Sequence, residues 1–288
     1  MNKVTKDILK QVYALRPAES HKYDYGLLLV IGGGEFYTGS PALSAMAAFR
    51  AGVDMVQIMA PKRAADIIAS FSPNLAAYPL KGDWLDKEDV PVLLSFTSGA
   101  KSVAGDKVAI VIGGGTGRSE ETQNSLQTFL EETDSKIVVD ADAIYALAKN
   151  IFSIKDQPAI ITPNSHEFFV LTGKKVAGLP IEEKAKIVQE EAAKMNSTIL
   201  LKGAIDVISN GKETVLDESG TSYMAVGGTG DTLAGICGSL LAMGCDPFLA
   251  AQAASFINGK AGELASKRLG VSMLATDLIE EITNVIKI

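Results

Sequence analysis

Gly26-Leu27-Leu28-Leu29-Val30-Ile31-Gly32-Gly33-Gly34 is an unbroken apolar run framed by glycines. A strand with one wet face would place a polar residue at every second position. This run has none, so it reads as a strand buried on both faces, the kind found in parallel sheets covered by helices. Similar short runs recur along the chain and also end in glycine or a polar residue. They are Asp54–Met59, Lys107–Ile112, Lys136–Asp140, Ala159–Ile161 and Thr198–Leu201. Helical patterns alternate with them over Pro41–Ala51, Arg63–Ala69, Glu120–Glu131, Ala141–Lys149 and Ile181–Lys194. After Lys202 the rhythm changes. Asp206–Ser209 and Glu213–Leu216 flank Asn210-Gly211, the dipeptide favoured by two-residue antiparallel turns. Helical stretches over Thr232–Met243, Pro247–Lys267 and Asp277–Ile286 close the chain, with Thr276 and Asp277 offering capping oxygens for the last. The expected fold is an α/β one, with a mainly parallel central sheet followed by a hairpin and helices. No linker, repeat or low-complexity block divides it, so a single domain over 1–288 is expected.

The chain has 288 residues, 47% of them hydrophobic, enough for a large core. Its net charge of −7 argues against a nucleic-acid surface. Cys237 and Cys245 lie in or beside an apolar helix pattern with no histidine near, so they read as buried thiols. No apolar run suffices to span a bilayer, and the first residues lack a signal-peptide core. A cytoplasmic globular enzyme is the expectation.

Gly227-Gly228-Thr229-Gly230-Asp231 opens the helix pattern at Thr232. A glycine turn at a helix start leaves backbone N–H groups free, backed by the positive end of the helix dipole, and so makes an anion site. Asp231 would then stand among bound anions, where it either caps the helix or takes a proton from a hydroxyl that attacks a phosphoryl group.

Ligands bind at the carboxyl ends of strands in open α/β sheets. Gly32–Glu35, Gly113–Gly117, Asp140 and Asp142, Thr162–Glu167 and Lys202–Ala204 all fall at such ends. Taken with Gly227–Asp231 they imply a long cleft for a ligand carrying several phosphates. Neither glycine cluster fits the dinucleotide fingerprint, since Arg118 occupies the last glycine position, and no P-loop motif occurs. Glu167 is either a first-turn helix carboxylate or a holder of magnesium, directly or through water. Lys202 either reaches a nucleotide phosphate or is a solvated strand-end lysine. His21 and His166 have no evident acid–base partner and are not expected to be catalytic. Trp84 and the Lys81–Asp89 charge cluster read as surface loop.

His21-Lys22-Tyr23-Asp24-Tyr25-Gly26 and the apolar run after it resemble the opening of the ADP/ATP-dependent NAD(P)H-hydrate dehydratases, a branch of the ribokinase-like superfamily. The resemblance continues through Tyr37-Thr38-Gly39-Ser40, Val139–Ala143, Thr162–Phe168, Leu201–Ala204, Gly227–Asp231 and Ala275–Leu278, in order along nearly the whole chain. It implies a three-layer α/β/α ribokinase-like fold and repair of hydrated NADH and NADPH (NADHX and NADPHX). A phosphoryl group passes from ADP or ATP to the hydrate hydroxyl, then phosphate leaves. By the same resemblance Asp231 is the base, Gly227, Gly228, Thr229 and Gly230 form the anion hole, and Lys202, Gly203, Ala204 and Asp206 bind nucleotide. Ser40, Gly117, Asn164 and Asp231 contact the hydrated coenzyme, and Asn164 with Glu167 forms an N-x-x-E pattern that organises magnesium and phosphate.

Two departures stand out. Asn164 replaces a histidine common in relatives, with His166 nearby instead, and Ser40 replaces a more usual alanine. Many relatives carry an epimerase domain ahead of this one. Residues 1–20 hold only the short helical pattern Val4–Leu15, so epimerisation is expected from a separate chain. A homo-oligomer, with a tetramer as one form, is expected from the apolar helices after Pro247. The alternatives are a ribokinase-like kinase of a sugar, hydroxymethylpyrimidine or thiazole alcohol, and a sensor that binds nucleotide without turnover.

Overall fold

In the computed structural model, which describes residues 2–287, a ten-stranded sheet spans the molecule. Its strands are β1 (Asn2–Lys3), β2 (Leu27–Ile31), β3 (Met55–Pro61), β4 (Ala76–Leu80), β5 (Val108–Ile112), β6 (Lys136–Val139), β7 (Ala159–Ile161), β8 (Thr198–Leu201), β9 (Asp206–Ser209) and β10 (Thr214–Asp217). They lie in the order β1-β10-β9-β8-β7-β6-β5-β2-β3-β4. β9 runs antiparallel to both neighbours, and the other pairings are parallel. The expected parallel sheet with a late hairpin is therefore present.

Helices cover both faces. On one side lie α1 (Leu9–Val12), α2 (Ser40–Arg50), α3 (Lys62–Phe71), α9 (Thr229–Ala242), α10 (Pro247–Leu269) and α11 (Ala275–Ile286). On the other lie α4 (Val90–Ala104), α5 (Glu120–Glu132), α6 (Asp142–Leu147), α7 (Ser165–Thr172) and α8 (Ile181–Met195). Strand β2 shows what joins the three layers. Leu28 and Val30 enter the first core, while Leu27, Leu29 and Ile31 enter the second. Burying five such side chains stabilises the fold by about 10 kcal/mol before chain entropy is counted. Helix α9 lies close to the sheet because Gly238 has no side chain: a β-carbon there would come within 2.4 Å of Val111. Gly235 likewise brings α9 against the backbone of Ser44 in α2, which sets these two helix N-termini side by side.

Several elements differ from expectation. Val4–Leu15 is not a helix. Lys6–Ile8 forms a 3-10 turn and α1 a single turn, after which Tyr13 is extended and its hydroxyl donates to Ala51 O at 2.9 Å. Strand β4 was not anticipated, since Pro79 interrupts its pattern; as an edge strand it tolerates a residue that cannot donate. Helix α4 was also not anticipated, while α7 realises the helical alternative for Glu167. At α11 the N-cap is Leu274, whose N–H donates to Asp277 Oδ2 at 2.8 Å, so Asp277 acts from inside the first turn and Thr276 takes no part in the cap. Cys237 is buried and Cys245 half-buried, both as free thiols. Among the described residues no helix is long and apolar enough to cross a membrane.

Candidate active site

The polar ends of β2, β5, β6, β7 and β8 all open on one edge of the sheet, facing the start of α9. Gly228 precedes that helix with φ +99°, a backbone region that side chains disfavour. The chain thereby turns abruptly, and the N–H groups of Thr229, Gly230 and Asp231 find no partner among the described residues. Thr229 contributes its backbone rather than its side chain, because its hydroxyl donates to Met224 O at 2.8 Å.

Asp231 is not a cap. Its carboxylate accepts no bond from the helix start, and α9 has no side-chain cap. Instead it meets the loop after β5: a β-carbon on Gly114 would come within 2.7 Å of Asp231 Oδ1 and 3.2 Å of Ser40 Cβ. Ser44 Oγ donates to Asp231 O at 2.9 Å, which ties this turn to α2. Burial raises the Asp231 carboxyl to about 7, and the charge of Asp140 adds to the rise. Ser40 and Lys202 pull the other way without reversing it. A carboxylate that titrates near neutrality is suited to taking up a proton in a reaction.

Lys202, at the end of β8, stands on the other side of Gly230; a β-carbon on that glycine would lie 3.5 Å from Lys202 Nζ. The ammonium donates to Asp140 Oδ1 at 2.9 Å and lies 3.7 Å from Glu167 Oε2. Burial works against its charge, but Asp140 and Glu167 outweigh that and hold its pKa above the usual lysine value. Thr162 Oγ1 donates to the same Asp140 oxygen at 2.8 Å. Lys202 is thus a pinned, half-buried cation and not a solvated strand-end lysine.

Glu167 and Asn164 form a capping box at α7. Asn164 Oδ1 accepts from the N–H groups of His166 and Glu167, and Glu167 Oε2 accepts from Asn164 N–H at 2.8 Å. The N-x-x-E pattern therefore has a local structural job in this chain. Glu167 Oε1 makes no hydrogen bond among the described residues and is left for another partner. No cluster of three metal-ligating side chains occurs among the described residues.

A cleft of about 520 Å³ runs from Lys202 and Gly230 between the Gly203–Asp206 turn and the Ser219–Ala225 segment. It gathers the residues expected to bind nucleotide, Lys202, Gly203, Ala204 and Asp206, together with Thr229 and Gly230. Asp206 also closes its own turn, accepting from Gly203 N–H at 2.8 Å and from Ser255 Oγ at 2.8 Å. Gly227, an exposed residue, does not line this cleft. Ser40, Gly117 and Asn164 are outside it as well, Ser40 standing with the Asp231 carboxylate beside Gly114. Two half-sites thus meet at Asp231.

Sequence reasoning missed Gln123 and the packing of Trp84, and read Gly114 only as part of the Gly113–Gly117 cluster. Gly114 makes room for Asp231. Gln123, buried on α5, donates to Gly117 O at 3.0 Å and to Asp142 O at 3.1 Å. Trp84 is half-buried and packs over Gly34 and Gly117, where added β-carbons would come within 2.5 and 2.7 Å of its ring, so it is not merely part of a surface loop.

A family model described as NAD(P)H-hydrate dehydratase matches residues 28–284. The chain belongs to the NAD(P)H-hydrate dehydratase family. A bifunctional NAD(P)H-hydrate repair enzyme of Pyrobaculum aerophilum is 40% identical over 94% of this chain and 52% of its own length. The chain thus spans about half the length of that bifunctional relative. An ADP-dependent (S)-NAD(P)H-hydrate dehydratase of Nitrosopumilus maritimus is 36% identical over 99% of this chain and 96% of its own length. The structure is also similar to an ADP/ATP-dependent NAD(P)H-hydrate dehydratase from Bacillus subtilis co-crystallised with ATP and Mg2+. The two share a TM-score of 0.82 and 27% identity over 99% of this chain and 98% of that one. The fold is ribokinase-like, as the resemblance implied. Within this dehydratase fold, α9 and the β8 end carry the polar groups described above.

Proposed function

We propose that this member of the dehydratase family repairs hydrated NADH and NADPH at the expense of ADP or ATP, as a single domain. The observation that carries the reading is the uncapped Asp231 carboxylate standing between three unpartnered N–H groups and the Gly114–Ser40 wall. The donor nucleotide occupies the cleft along Gly203–Asp206, with its terminal phosphate at Gly230 and Lys202. The hydrated nicotinamide ring lies on the Ser40 side, with Gly117 and Asn164 in contact with the coenzyme.

Asp231 takes the proton of the ring hydroxyl as its oxygen attacks the terminal phosphorus. The bond from that phosphorus to the nucleotide breaks, and the leaving group is AMP from ADP or ADP from ATP. The N–H groups of Thr229, Gly230 and Asp231, with the dipole of α9 behind them, stabilise the charge on the transferring phosphoryl group. Lys202 neutralises the departing phosphate oxygen. The C–O bond to phosphate then breaks, the adjacent ring carbon gives up its proton to solvent, and the ring double bond is regained.

Magnesium fits this donor set in a limited way. One free carboxylate oxygen, Glu167 Oε1, could hold the ion through water, while the nucleotide phosphates supply other ligands, as is usual for magnesium. When bound, the ion would neutralise phosphate charge. The protein is further proposed to act in the cytoplasm as a homo-oligomer.

The test is incubation of the purified protein with hydrated NADH and each donor in turn, with and without magnesium. Expected is recovery of reduced-coenzyme absorbance with release of one phosphate per coenzyme, dependent on ADP or ATP. A stable phosphorylated product with no reduced coenzyme would overturn the reading in favour of a small-molecule kinase.

A further inference from the structure

Gly117 is clamped at both ends of its peptide group. Its N–H donates to Asp142 Oδ2 at 2.9 Å, and its carbonyl accepts from the buried Gln123. The next residue, Arg118, is fixed by the same carboxylate, its Nε donating to Asp142 Oδ1 at 2.7 Å. The guanidinium carbon then lies 3.8 Å over the centre of the Tyr145 ring. His166, two residues beyond Asn164, lies near the same ring in a tilted arrangement, with centroids 6.5 Å apart. Arg118 and Tyr145 therefore bridge the space between Gly117 and Asn164.

This arrangement uses only part of the guanidinium. A side chain 54% exposed is held in place by one charged hydrogen bond and one stacked ring. Its two terminal nitrogens make no hydrogen bond among the described residues. Such a fork, pre-ordered and still open, matches the bidentate geometry of a phosphate. The surrounding charge makes a cation useful here. Asp140, Asp142, Glu167 and Asp231 all face this side of the cleft, and Lys202 is already engaged by Asp140. A coenzyme carrying several negative charges would be repelled by those carboxylates unless a cation met it.

We propose that Arg118 is the residue that binds a phosphate of the dinucleotide coenzyme, either the bridging pyrophosphate or the ribose 2′-phosphate. The inference rests on the dehydratase reading and extends it to a specificity-determining residue. Asp142 and Tyr145 are positioning residues that act through Arg118. Asp142 also orders Gly117, so charge recognition and the loop that holds the ring share one anchor.

The test is Arg118→Gln, with Arg118→Lys as a milder second variant, assayed against NADHX and NADPHX with saturating ADP. Loss of a charge-assisted contact should raise the coenzyme KM roughly tenfold to a hundredfold. The KM for ADP and kcat should change little. A rise confined to NADPHX assigns the 2′-phosphate, whereas equal rises assign the pyrophosphate; either supports the proposal. Lysine should recover part of the affinity, because it restores charge without the fork. Equilibrium binding of NADH and NADPH, followed through the emission of Trp84, the sole tryptophan, should weaken in parallel. An unchanged coenzyme KM in both variants would overturn the proposal, as would a fall in kcat with the ADP KM moving alike. If the wild-type chain repairs neither hydrate, the dehydratase reading itself is what fails.

Discussion

Lys202 Nζ and Asp140 Oδ1 are 2.9 Å apart, and this ion pair joins the ends of β8 and β6 across the intervening strand β7. The same oxygen takes the Thr162 hydroxyl from β7, so three strand ends share one carboxylate. Neutralising that carboxylate by Asp140→Asn leaves a half-buried ammonium with only Glu167, 3.7 Å away, as counter-charge. Removing one partner of a fully buried pair costs about 3–5 kcal/mol. Since the lysine retains some exposure, a loss of about 2 kcal/mol is expected. Chemical denaturation of the two proteins checks it. Lys202→Met leaves the more deeply buried Asp140 carboxylate without its cation, so a comparable loss of stability is expected, and turnover should also fall by roughly a hundredfold, since a phosphate contact is lost.

Asp231 must be ionised to accept a proton, and burial holds its carboxyl at about 7. Turnover should therefore rise with pH through neutrality and level off above it, and Asp231→Asn should abolish turnover while leaving ADP binding largely intact. The sign for stability is opposite. The folded state holds a proton on Asp231 between roughly pH 4 and 7, where the unfolded chain has released it. Stability of the ligand-free protein thus falls as pH rises across that window. A pH series of kcat with parallel unfolding midpoints tests both limbs, and full activity in the asparagine variant would falsify the assigned role.

Gly114→Ala isolates the geometry of Asp231 from its charge. The added methyl would stand 2.7 Å from Asp231 Oδ1, too close to be accommodated without displacing the carboxylate. Gly114 does not have a positive φ, so alanine brings no backbone strain. A misplaced base should cost roughly a hundredfold in kcat, with the KM for ADP little altered because that half-site lies beyond Gly230. Steady-state kinetics with hydrated NADH would measure it; unchanged kcat would mean the loop yields instead.

The uneven legibility of this molecule follows from the range of its interactions. Leu27–Ile31 and Gly227–Asp231 were readable because burial on two faces and an N-terminal anion site are local consequences of local sequence. Lys202 at the end of β8 was readable only as a choice, since its partner Asp140 is 62 residues away. Trp84 looked like part of a charged loop because its packing surface is the missing side chains of Gly34 and Gly117, which come from other loops. The Asn164-x-x-Glu167 pattern supported two meanings, and only the capping bonds show that the structural one is realised. Helix α4 was obscured by Gly99 within it, a poor helix former whose cost the tertiary burial of Leu93 and Ala100 overrides, while Pro91 sits in the first turn where its missing N–H costs nothing.

The floor of the cleft beside Gly203–Asp206 holds a shortage of protons. Ser255 Oγ lies 2.8 Å from Asp206 Oδ2 and 2.6 Å from Asp217 Oδ2, yet it has one hydrogen to give. Ser219 Oγ already donates to Asp217 Oδ2 at 2.6 Å, so a second proton must sit on one of the carboxyls for both short contacts to hold. Asp206 is the one pushed up, by burial first, to about 6. Between roughly pH 4 and 6 the folded chain binds a proton there that the unfolded chain does not, and above that window the uncompensated carboxylate weakens the fold. Asp206→Asn removes the shortage: the amide donates to Ser255, Ser255 donates to Asp217, and the remaining amide oxygen still accepts from Gly203. The variant should be more stable than the wild type at pH 8 by about 1–2 kcal/mol, a discounted fraction of the full shift. That advantage should close as the pH is lowered through 6 toward 4. Denaturant unfolding of both proteins at those pH values decides the matter, because an advantage that did not vary with pH would show that Asp206 carries no proton and that the short contacts are resolved in another way.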